Sequence, residues 1–178
     1  LNSSMFLALF TMAILSIPVL FIRHEYVQFK AFFNILIFFI ITSILFFISY
    51  WVSYKSIHGG GSKNFIQYVG LFITFYTIAM GFSFHNSVAV LEGLWGKKSE
   101  FVRTPKLNIE GLKDKWKQNN YLSKKTSKNV FVEGALMLYF TFGIYSAFLL
   151  DDFSLVALHA MLFFGFGFVF VKSITDPR

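Results

Sequence analysis

Five apolar runs divide the chain. Met5–Ile22 has 18 residues, Ala31–Tyr54 has 24, Phe65–Phe84 has 20, Asn129–Leu150 has 22 and Phe153–Val171 has 19. Three short polar connectors separate them, Arg23–Lys30, Lys55–Asn64 and Asp151–Asp152, together with one long one, Gly96–Lys128. About 20 apolar residues cross a bilayer core as a helix. A backbone in lipid must satisfy its own hydrogen bonds, so all five runs are expected to be helical. The pattern predicts an all-α integral membrane chain with no internal repeat and no second domain.

The third run differs from the rest. Gln67, Gly70, Thr74, Thr77, Gly81 and His85 recur at steps of three or four and share one helical face. The pattern continues beyond the run, with Phe84, Val88, Leu91 and Trp95 forming an apolar stripe beside Asn86, Ser87 and Glu92. A helix of that length either lies along the membrane surface or spans it, its small residues packed on a neighbour.

Composition supports the class. Of 178 residues, 56% are hydrophobic and 26 are Phe, a load that a soluble domain of this length rarely carries. There is no Cys, hence no disulfide framework and no clue to redox compartment. The chain begins at Leu1, and no small-residue cleavage site follows the first run. A segment of a longer protein is expected.

The formal charge of +7 is local. Between Gly96 and Lys128 stand ten Lys or Arg and three acids, while the remainder carries six of each sign. Such a loop suits nucleic acid, anionic lipid or a phosphorylated substrate. It is also what a positive-inside topology alone requires. Counting cations does not separate four spans plus a surface helix from five spans. Each puts 14 cations inside and two outside, and they differ in where the N-terminus lies.

Candidate chemistry is sparse. His58–Lys63, HGGGSK, lacks the spacing of a phosphate loop and reads as a flexible connector. His24, His58, His85 and His159 show no i, i+4 ligand pair. His159 falls inside a span, where a histidine bonded to a neighbouring helix is expected. Glu133, in the first turn of its helix, suits the helix dipole. Asp151–Asp152 reads as a tight, solvated turn. No nucleophile–base set and no paired carboxylates appear. What remains is Phe101–Lys106, FVRTPK, where Pro105 extends the backbone at Thr104. There a hydroxyl and an ammonium can clasp a diphosphate.

That stretch resembles the F-x-V-T-x-K gating-loop motif of membrane-integrated family 2 glycosyltransferases, the cellulose synthase and cellulose synthase-like group. Phe101, Thr104 and Lys106 match, and Arg103 stands where those enzymes usually have Val. LNSSMF resembles the opening of the first span after the catalytic domain. FHNSVAVLEGLWGKKSEFVRTPK looks like the interface helix and loop of mannan synthase-like members.

The resemblance implies four transmembrane helices plus one amphipathic interface helix. Two spans would lie in 1–55, the interface helix in 64–96 with a kink near Gly81, a gating-type cytosolic loop in 97–127, and two further spans in 128–172. It implies a cytosolic catalytic domain upstream that holds the carboxylates, the Q-x-x-R-W motif and a divalent Mg or Mn ion. No catalytic residue and no cofactor fall in this segment. The implied activity is transfer of sugar from a nucleotide-diphosphate sugar to a growing glycan or lipid acceptor. Thr104 would donate to the diphosphate, Lys106 and Arg103 would offset its charge, and Phe101 would wedge the closed loop. The implied setting is the bacterial inner membrane, with the basic loop and both termini cytosolic and no nucleic-acid partner. The alternative is a small scaffold, channel or transporter whose basic loop meets anionic headgroups.

Overall fold

A computed structural model of the chain describes residues 4–26, 28, 37–97 and 129–175. Its regular elements there are helical. They are α1 (Ser4–Glu25), α2 (Ile37–His58), α3 (Ser62–Leu94), α4 (Asn129–Leu149), a 3₁₀ turn (Phe153–Leu155) and α5 (Val156–Thr175). Among the described residues, α1, α3, α4 and the 3₁₀ turn with α5 are each long and apolar enough to cross a membrane. These features are those of an integral membrane protein. The loop expected over 97–127 lies outside the described residues beyond Lys97.

Helix α1 contains Pro18 and continues through it. Proline has no N–H, so the carbonyl of Ile14 loses its helical donor. The hydroxyl of Tyr139 on α4 donates to that carbonyl at 2.6 Å. A backbone group that lipid could not satisfy thus ties α1 to α4.

Helices α1, α4 and α5 enclose the core. Ala13, Ile17, Leu136, Phe140, Leu162 and Phe166 are buried together, and Met80 and Phe84 of α3 pack against them. Phe140 and Phe166 stack with centroids 5.6 Å apart. Helices α4 and α5 form an antiparallel hairpin, with Gly143 against His159 at one level and Gly134 against Phe170 at another. Arg23, at the end of α1, donates to Asp152 in the α4–α5 turn and to Ser154 at 2.8 Å. Helix α1 therefore runs parallel to α4.

Helix α3 is one continuous helix of 33 residues, about 50 Å long. Its C-terminal half is antiparallel to α1, since Phe84 packs on Phe10 at 5.7 Å and Ser87 lies 3.0 Å from the Phe6 carbonyl. Gly81 and Gly165 let α3 approach α5 closely. A Cβ on Gly81 would run into the Gly165 carbonyl, and one on Gly165 into the Thr77 carbonyl. Small residues at such crossings let backbones make dispersion contacts that lipid cannot improve upon.

This packing corrects one expectation. Residues 77–87 of α3 lie lengthwise among α1, α4 and α5, as a crossing helix does. The helix does not lie in the membrane plane over the whole of Asn64–Trp95. Gly81 serves close approach rather than a break in the helix. Among the described residues, the four helices long and apolar enough to cross a membrane include α3 and not α2, where the expectation had two spans in 1–55. The chain leaves α1 at the Arg23 face and returns in α3 to the opposite face, so α2 and α3 together make an odd number of crossings. The N-terminal half of α3 forms an aromatic hairpin with α2. Phe47 meets Phe72 at 5.0 Å, Trp51 meets Phe65 at 5.0 Å, and Tyr68 donates to the Phe47 carbonyl at 2.6 Å.

Candidate functional site

The start of α1, the end of α3, the start of α4 and the end of α5 share one face of the bundle. Both roots of the basic loop, Lys97 and Asn129, belong to that face. The pairings that fix it are Ser87 with Phe6, His85 with Glu133, and Gly134 with Phe170. Arg23, Asp151 and Asp152 mark the opposite face.

At the loop face, α3 and α4 meet through two ionisable groups. His85 Nε2 lies 2.7 Å from Glu133 Oε1. The Glu133 side chain is 1% exposed and that of His85 is 31% exposed, so the carboxylate is enclosed while the imidazole reaches the surface of the bundle. Among the described residues, Glu133 Oε2 has no hydrogen-bond partner. Helix α4 begins at Asn129, so Glu133 lies just past the first turn. Its carboxylate is engaged by a neighbouring helix rather than by the helix dipole alone. Two residues beyond α3, Gly96 takes φ +69 and turns the chain, a conformation glycine adopts without strain. Lys97 then reaches back to Glu92 in a surface ion pair.

A second buried pair lies mid-bundle. Ser16 Oγ is 3.0 Å from His159 Nε2, and both residues are buried. Ser16 donates its one proton to the Ala13 carbonyl at 2.6 Å. Its oxygen remains within hydrogen-bond distance of His159 Nε2. His159 Nδ1 faces Gly143, where a Cβ would come within 2.9 Å of it. The pair ties α1 to α5, as expected of His159.

No family model, curated protein or solved structure matches the chain.

Phe101, Arg103, Thr104 and Lys106 all lie outside the described residues. The structure supplies the roots of their loop and the His85–Glu133 bridge between those roots. Sequence reasoning missed that bridge, although an acid inside an apolar run and a histidine on a small-residue face were the signals for it. Asp151–Asp152 is more than a solvated turn. Asp152 caps the 3₁₀ turn through Ser154 N at 3.1 Å and binds Arg23. Burial works to raise the Asp152 carboxyl, but hydrogen bonds from Ser154 and Arg23 outweigh it and hold the group below its ordinary value. Among the described residues no cluster of three or more His, Asp or Glu could hold a metal ion.

Proposed function

We propose that this chain is the membrane portion of a glycosyltransferase that uses nucleotide-diphosphate sugars and transfers to a glycan or lipid acceptor. The observation that carries the reading is the shared face. The basic loop with FVRTPK is rooted on the same side as the start of α1, where an upstream cytosolic catalytic domain would join. A loop hung between α3 and α4 on that side can reach a nucleotide held there.

In this reading the loop closes over the diphosphate and excludes water, as lids do. Thr104 donates to a phosphate oxygen, Lys106 and Arg103 offset its charge, and Phe101 seats the closed loop. Charge-assisted bonds of this kind are the strong ones. The α2–α3 hairpin near Lys55 and Lys63 lies at the membrane interface, and the helices beyond it line the path of the acceptor. The loop face is cytosolic and the membrane is the bacterial inner membrane. Mg or Mn bound in the catalytic domain would counter diphosphate charge.

The test is to purify the parent protein, place it in nanodiscs with Mg or Mn, and supply a panel of nucleotide sugars. Release of nucleoside diphosphate with at least one donor supports the reading. Failure with every donor, for a protein shown to be folded, overturns it and favours a lipid-binding scaffold.

A further inference from the structure

Helices α3 and α4 carry the basic loop between them, yet they make little backbone contact of their own. Helix α3 lies against α5, α1 and α2, and α4 lies chiefly against α5. At the loop face the four helices therefore form two pairs. In one, Ser87 of α3 meets the Phe6 carbonyl of α1 and Phe84 packs on Phe10. In the other, Gly134 of α4 lies against Phe170 of α5. The His85–Glu133 hydrogen bond crosses from the first pair to the second.

The depth of that bond decides what it controls. One helical turn deeper on α3 lies the Gly81–Gly165 crossing with α5. Ridges of side chains fix the angle at which helices cross, and two glycines offer none. The crossing therefore acts as a fulcrum. Beyond His85, α3 runs on to Leu94 for about 14 Å, whereas α4 extends only about 6 Å from Glu133 back to Asn129. The overhang of α3 is a lever that ends at the root of the loop. Leu94 is 74% exposed and Phe131, near the start of α4, is 83% exposed, so neither apolar side chain ties the roots together.

We propose that His85 and Glu133 form a latch between the two roots of the basic loop. Made, it holds the end of α3 to α4. Broken, α3 swings about the Gly81–Gly165 crossing and the roots part. Glu133 is enclosed and His85 reaches the surface of the bundle, so the latch opens from the His85 side. The inference rests on helix packing and does not depend on the glycosyltransferase reading.

The chain has no Cys. Spin labels on Leu94→Cys and Phe131→Cys, both at exposed positions, then report the separation of the roots by double electron–electron resonance in nanodiscs. The labelled parent should give one narrow distance distribution. His85→Ala should shift it to longer distance and broaden it. His85→Leu with Glu133→Leu separates a latch from mere stability. It should recover melting temperature and keep the long, broad distribution, because lipid is as apolar as leucine and leucine contacts alone do not hold helices together. If His85→Ala does not insert, the leucine pair carries the test. A broad distribution in the parent overturns the proposal. So does a His85→Ala distribution like that of the parent, or a narrow distribution restored by the leucine pair.

Discussion

His85 and Glu133 bridge α3 and α4 at the roots of the basic loop, imidazole Nε2 to carboxylate Oε1 at 2.7 Å. Removing one partner from a buried polar pair costs more than removing both, because the survivor keeps its desolvation penalty. His85→Ala should therefore lower thermal stability in detergent by about 1–3 kcal/mol. His85→Leu combined with Glu133→Leu should recover much of that loss, and Glu133→Gln should be milder than Glu133→Leu. Additive losses in the double variant would show that the two groups do not act as a pair.

The Gly81–Gly165 approach predicts a backbone clash for any side chain. Gly81→Leu and Gly165→Leu should each separate α3 from α5 and cost about 1–3 kcal/mol. Gly70→Ala, where a Cβ meets nothing within 4 Å, should be close to neutral. The chain has no Cys, so disulfide trapping between cysteines introduced in α3 and α5 reads the separation without background. Unchanged trapping in Gly81→Leu would contradict the packing.

Asp152 gives a pH dependence with a definite sign. Its folded pKa is lowered, so its contribution is present above the unfolded value, near pH 4. It is lost as pH falls through the folded value. Melting temperature followed from neutral to acid pH should drop more steeply below about pH 4 in the parent than in Asp152→Asn. The two curves should converge at the acid end. Parallel curves would mean that the Arg23–Asp152 pair does not hold the far end of the bundle.

The shared face is tested by labelling. Single cysteines at Ser4, Gly96 and Thr175 should react with an impermeant thiol reagent from one side of a sealed vesicle, and one at Asp151 from the other. Gly96 labelling from the Asp151 side would overturn the helix directions derived from the Phe6, Ser87 and Glu133 contacts.

Much of the helical framework was legible in the apolar runs, because lipid leaves a spanning backbone few alternatives to helix. The ends of α4 and α5 fall close to where the runs stop. The placement of α3 was not legible, since Gly70, Thr77 and Gly81 serve equally on a surface helix or at a crossing. Only a partner decides between these, and Gly165 stands 84 positions after Gly81 in the chain. Likewise, Pro18 stands near the end of the first run, and it takes Tyr139, 121 positions later, to supply the donor that the Ile14 carbonyl loses there. Asp152 reads as solvated until Arg23 is beside it. Each shortfall has one physical form, a local signal resolved by a residue distant in sequence. For the loop residues Phe101, Arg103, Thr104 and Lys106, the motif and its two roots carry the proposal.

The measurement that bears most directly on the proposed function is nucleotide release by loop variants of the full-length protein in nanodiscs. Thr104→Ala and Lys106→Ala should each slow turnover by about ten- to a hundred-fold, the range for losing a hydrogen bond to a charged group. Lys106→Ala should also weaken nucleotide affinity, and expression and insertion should be unchanged in both. Lys97→Ala and Lys124→Ala should stay near the parent rate. Lys97 takes part in a surface pair with Glu92, and such pairs contribute little. The same mild loss in all four variants would make the loop a generic basic surface and contradict the account.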